Sequence, residues 1–121
     1  MGINSTDTAY NFGQLGSVFN NTTNAMSPPS GKVFVAVTMV TAATFDNTVG
    51  LVADNDASNG VEYIGSVAAH DIAHDGTATT TSGTGGIAIP VGTTFPAGLT
   101  IYGRWTSINP ASGTIIAYIG N

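Results

Sequence analysis

The densest group of titratable side chains in the sequence is His70-Asp71-Ile72-Ala73-His74-Asp75. On a helix, His70 and His74 would share a face at the spacing of a two-histidine metal site. The zinc-hydrolase pattern built on that spacing needs a glutamate directly after the first histidine. Asp71 stands there instead, its arm is shorter, and the sequence offers no third ligand. Ser66 to Asp75 is also short and uncapped, enough for no more than a turn or two of helix. The stretch therefore reads as a polar surface turn with aspartates at its ends. His70 and His74 stay weak metal candidates, and as surface imidazoles they would tune assembly at roughly pH 6–7, where they charge.

A second oxygen-rich stretch, Asp54-Asn55-Asp56-Ala57-Ser58-Asn59-Gly60 followed by Glu62, places side-chain oxygens as a hard cation would need them. The EF-hand pattern wants its glycine one position earlier and a glutamate at the end of the loop, so a plain hairpin loop closed by Asn59-Gly60 is the better reading. Gly83-Thr84-Gly85-Gly86 lacks the lysine and the following helix of a phosphate loop. No serine stands in a nucleophile setting, and Glu62 is the only glutamate, so a carboxylate pair for glycoside hydrolysis is unsupported. The expectation is a protein that is not an enzyme and needs no cofactor.

Composition narrows the partners. Only 7% of the 121 residues are charged, against roughly 25% in ordinary soluble domains. Lys32 and Arg104 are the only strong cations and the formal net charge is −5, so neither nucleic acid nor an anionic membrane surface is an expected partner. The polar surface must come from Thr, Ser, Asn and Gly, and a surface so poor in charge tolerates close assembly. With no cysteine, folding rests on packing and main-chain hydrogen bonds. No apolar run reaches the length of a membrane span, and the first residues lack the pattern of a secretion signal.

The elements that would position any site are strands. Lys32 to Phe45 alternates apolar side chains on both sides: Val33, Val35, Val37, Met39 and Thr41 on one, Phe34, Ala36, Thr38, Val40 and Ala42 on the other. It is expected to lie centrally in a sheet. Thr48 to Ala53 and Val61 to Gly65 read as a short hairpin, and Ile87 to Val91 as an edge strand stopped by Pro90. The C-terminal stretch reads as a long hairpin: Leu99 to Ile108 out, Asn109 to Gly113 as the turn, and Thr114 to Ile119 back. In that register Trp105 faces Ala117, with Leu99, Ile101, Ile115 and Ile119 on the same side. The other side carries Tyr102, Arg104, Thr106, Ile116 and Tyr118, and Arg104 then faces Tyr118 for a cation–π contact. Met1 to Phe19 shows no sustained period and reads as an extended arm, with Tyr10, Phe12 and Phe19 as candidate anchors on a partner; the alternative is that Tyr10 and Phe12 open an ordinary edge strand of the same domain. Residues 1–31 form this arm and a Pro28-Pro29 loop, and 32–121 form the domain. The fold class is all-β, an antiparallel β-sandwich or jelly roll with an extended N-terminal arm.

Four stretches, FPAGLTIYGRW (Phe95 to Trp105), GTIIAYIG (Gly113 to Gly120), AAHDIAHD (Ala68 to Asp75) and GTGGIAI (Gly83 to Ile89), together resemble small virion proteins of tailed bacteriophages, notably marine and cyanobacterial ones. That resemblance implies a virion structural protein assembled in the bacterial host cytoplasm. It would decorate or cement the capsid by contact with the major capsid protein and self-associate, a trimer suiting a local three-fold axis. The alternative is a tail, baseplate or fibre component with receptor or glycan binding.

Overall fold

A computed structural model describes residues 15–46, 49–54, 63–66, 88–90 and 92–121. All regular structure among them is β: β1 (Ser17–Asn20), β2 (Val33–Met39), β3 (Thr44–Phe45), β4 (Leu51–Ala53), β5 (Thr100–Ile108), β6 (Pro110–Ser112) and β7 (Ile115–Gly120). Five of these form one sheet in the order β1-β7-β2-β5-β4, and β3 pairs with β6 in a separate ribbon. Every pairing is antiparallel.

β2 is the middle strand, as its two apolar sides require. It is also what overturns the expected C-terminal hairpin. β5 and β7 do not pair with each other; β2 lies between them, with Val37 opposite Ile101 on one side and Ala117 on the other. Asn109 to Thr114 must therefore step across two strand spacings, roughly 10 Å. It does so as β6, which pairs Ser112 with Thr44 and Pro110 with Phe45. A tight hairpin would have left β2, apolar on both sides, with one edge unpaired. In the observed order both of its edges are used, and the Pro110 ring is buried in the second layer.

Trp105 consequently faces Phe34 and Ala53 rather than Ala117. Arg104 does not meet Tyr118. The two residues lie on strands separated by β2, and the guanidinium is ion-paired with Asp54, Nε to Oδ2 at 3.0 Å.

The expected alternation of β2 is also interrupted. The register against both neighbours shifts between Phe34 and Ala36, so Phe34 joins Val37 and Met39 in the core although their numbers differ in parity. A bulge of this kind inserts one residue and turns the rest of the strand over. A second shift, between Val52 and Ala53, likewise admits both Trp105 and Ile108 to the core.

Inward side chains of β2, β4, β5 and β7 form one buried cluster with Phe45 of the ribbon, and Val18 of β1 packs against it. Trp105, Phe34, Met39, Leu51, Ile108, Ile115 and Val37 are all fully buried. The Trp105 ring lies back over Gly103, where a β-carbon would come within 2.6 Å of Cζ2. Its Nε1 donates to the Ile64 carbonyl at 2.7 Å, which holds the 63–66 segment against the core. Phe45 of the ribbon meets Phe95 edge to face, with centroids 5.6 Å apart. No strand occurs in 63–66 or 88–90, so the described parts of the two short strands expected there are irregular. They are joined by a bond from Ile89 N–H to the Gly65 carbonyl.

The stretch read as an arm is corrected from Ser17 onward. Ser17–Asn20 is an edge strand of the main sheet, with Val18 opposite Ala117. Met26 is buried and exchanges main-chain hydrogen bonds with Ile108. The physical reason is that β7 has inward residues on both ends and a free edge, and β1 supplies the matching inward Val18 and buried Asn20. The Asn20 side chain organises the loop that follows. Its Oδ1 accepts from Thr22 N–H at 2.8 Å and from Thr22 Oγ1 at 2.7 Å, and its Nδ2 donates to the Asn24 carbonyl at 3.0 Å.

The opposite edge, β4, is closed at Leu51 by one residue. Ser66 N–H donates to the Leu51 carbonyl at 3.0 Å, and Ser66 Oγ accepts from Leu51 N–H at 2.8 Å while donating to the Asp46 carbonyl at 3.2 Å. Ser66 is only 5% exposed. Replacing it with alanine leaves the Leu51 N–H and one Asp46 lone pair without their partner. The expected loss is about 1–3 kcal/mol, read as a lower midpoint in urea at unchanged slope. A change below 0.5 kcal/mol would mean that water takes over both bonds.

Candidate contact surface

The sheet has one side against the ribbon and one side turned outward. The registers define two rows across the outward side. Phe19, Ile116, Thr38 and Thr100 stand abreast on β1, β7, β2 and β5, and Ser17, Tyr118, Ala36 and Tyr102 form the adjacent row. Phe19 is 62% exposed and Tyr102 64%, while Ala36 is buried between its two tyrosine neighbours. The Thr38 and Thr100 hydroxyls are hydrogen-bonded at 2.8 Å. Neither row contains a charged residue.

Among the described residues, both cations stand at the margin of the sheet. Arg104 Nε binds Asp54 and its Nη1 donates to the main-chain oxygen of Asn121 at 2.5 Å. Lys32 Nζ donates to the Asn121 side-chain oxygen at 2.6 Å. Both strong cations of the chain are thus engaged around one residue. The Arg104–Asp54 pair is about one-third exposed, so solvent screening leaves it worth a fraction of a kcal/mol. It marks an edge more than it holds the fold together.

Of the candidate contact residues, Phe19 is on the outward side of β1, with its ring in solvent. Tyr10 and Phe12 lie outside the described residues, as do His70, His74 and the Asn55–Glu62 part of the oxygen-rich loop. Among the described residues no three His, Asp or Glu side chains gather as a metal site would require. Asp54, the first acid of that loop, is turned to Arg104. Asp46 caps its own turn by accepting from Val49 N–H at 3.0 Å.

Tyr102, Tyr118 and Ile116 were legible as the outward set of their strands. Their assembly into one surface was not, because that depends on β2 standing between β5 and β7. Comparison of the chain with protein-family models, with curated proteins and with solved structures gives no match.

Proposed function

We propose that the chain is a structural protein of a phage virion. It decorates or cements the capsid shell through contacts with the major capsid protein and with copies of itself. The single observation that carries a contact function is the outward side of the sheet: two uncharged rows led by an exposed Phe19 at the sheet edge. An exposed aromatic on an uncharged edge is costly in a free monomer and is stabilised when a partner covers it, at about 25 cal/mol per Å² of apolar area. Repeated over many copies on a shell, a modest contact becomes a firm one through avidity. The resemblance stated above supplies the virion setting, and the uncharged face supports it. The five-stranded sheet with a ribbon over one side supports the finer reading of the fold as a sandwich or jelly roll.

A second reading has its own observation. Exposed Tyr102 and half-buried Tyr118 flank the small Ala36, with the Thr38 and Thr100 hydroxyls in the next row. Aromatic faces beside hydroxyls suit a sugar ring, which favours a tail or fibre component that binds glycans. Trp105, the only tryptophan, is fully buried and takes no part in such a platform.

Quantitative mass spectrometry of purified virions separates the readings. A decorating protein is present in copy number comparable with the major capsid protein. A tail component matches the much rarer tail proteins, and absence from the particle overturns the virion assignment.

A further inference from the structure

The two edges of the main sheet are not equivalent. At β4, Ser66 occupies both main-chain groups of Leu51. At β1, the Ile119 N–H bonds to the Gly16 carbonyl. In an antiparallel ladder the bonding direction alternates from residue to residue, so Val18 and Asn20 point their main-chain groups at β7. Those of Ser17 and Phe19 point away from the sheet. Among the described residues nothing bonds to either of them. The strand reads Ser-Val-Phe-Asn and carries none of the lysine, glutamate or proline by which natural edges block pairing.

From this edge we infer that β1 is a self-pairing surface: two copies join β1 to β1 antiparallel about a two-fold axis, making one continuous ten-stranded sheet. The strand is complementary to itself in one register. Val18 faces Val18 of the second copy at the axis, Ser17 faces Phe19 of the second copy, and Phe19 faces its Ser17. The four outward main-chain groups of each copy then form four hydrogen bonds in all. On the outward side each Phe19 ring lies over the small Ser17 of the other copy, large against small. The row Tyr102, Ala36, Tyr118 and Ser17 continues into Phe19, Ile116, Thr38 and Thr100 of the second copy. No charged pair is brought together, since β1 has no charge and neither row carries one.

A head-to-tail ring, as a trimer would need, requires β1 to meet a different edge. The other edge of this sheet is closed at Leu51, so pairing through sheet edges ends at two copies. This inference specifies the self-association in the proposed function but does not depend on the virion setting, and it is tested on the purified chain alone.

Four hydrogen bonds and two phenylalanine rings bury less than the roughly 1,000 Å² of a durable interface. The contact is therefore expected to be weak in dilute solution and to be strengthened where copies are held side by side. Because the chain has no cysteine of its own, a single introduced thiol reports the pairing. Facing residues at the Val18 position of an antiparallel pair have Cα atoms about 4.5 Å apart, within disulfide range. Val18→Cys is expected to oxidise to a covalent dimer at least ten-fold faster than Ser112→Cys, an exposed control on the ribbon. Ser17→Pro, which removes an outward N–H from the first residue of the strand and spares the bonds to β7, should slow Val18→Cys dimerisation at least ten-fold with an unchanged melting temperature. Equal oxidation of the Val18→Cys and Ser112→Cys chains, or no effect of Ser17→Pro in a chain that melts normally, overturns the inference.

Discussion

Replacing Trp105 with alanine is expected to cost about 3–5 kcal/mol, the range for emptying a large aromatic site in a packed core. The side chain is fully buried, lies against Phe34 and Ala53 across two strand pairings, and holds the Ile64 carbonyl through its indole N–H at 2.7 Å. Alanine removes the ring and leaves that carbonyl without a donor. The backbone beneath cannot collapse into the space, because β2 and β5 are fixed by neighbours on both sides. Domains of this size hold about 5–15 kcal/mol in total, so the variant should lose about a fifth of its stability at the least. Its melting temperature should fall by about 10–20 °C. Circular dichroism is the suitable readout, since the only tryptophan is the residue removed. Trp105→Phe separates the two contributions. It keeps most of the apolar volume, so its cost should fall to about 1–3 kcal/mol, from the unsatisfied Ile64 carbonyl and the smaller ring. A loss below 1 kcal/mol for Trp105→Ala would show that Trp105 is not the centre of the core.

The second large effect is expected at Gly113, where the chain leaves β6 for β7. Its φ is +90°, a conformation costly for any side chain. The space is closed as well: a β-carbon would lie 2.4 Å from the Ala42 carbonyl oxygen and 2.7 Å from Ala43 Cα. Both obstacles are backbone and cannot rotate away. Just beyond, Thr114 N–H donates to Thr41 Oγ1 at 2.9 Å, and its carbonyl accepts from Val40 N–H at 2.8 Å. A shift at Gly113 would pull on these bonds and on the entry of β7 into the sheet. Gly113→Ala should therefore lose about 3 kcal/mol by the combined strain and overpacking. Urea denaturation measures it. An exposed glycine with open space around it, such as Gly98, should tolerate alanine better despite its own positive φ of 86°. Equal losses at the two positions would assign the effect to φ alone and remove the close approach from the account.

These two positions also show what the sequence could and could not specify. Ile101, Trp105, Ile115, Ala117 and Ile119 were readable as inward from alternation alone, and so was the central place of β2, apolar on both sides; Leu99, read with them, lies before the strand begins and is exposed. The all-β class followed from the same pattern. Which strand lies beside which was not readable. Five residues from Asn109 to Gly113 serve equally as a turn or as a step over one strand. The choice falls to β2, more than 70 residues earlier in the chain, through its need for partners at both edges. The bulges at Phe34–Ala36 and Val52–Ala53 were equally hidden, because each is fixed by the strand opposite; the one local mark is Gly103, in the stretch of β5 across from the first of them. β1 was absorbed into the arm because four residues of mixed polarity carry no period. Of the contact surface, Phe19 was singled out as an aromatic residue in a polar stretch, whereas Tyr102 and Tyr118 come into one row only through the strand order.

A contact module on a virion shell, as proposed, must be found on the particle itself. The most direct test is immunogold labelling of purified particles with an antibody to the chain, imaged by electron microscopy. Gold distributed over the whole head is the predicted result. Gold confined to the tail tip, or particles left unlabelled, would contradict it.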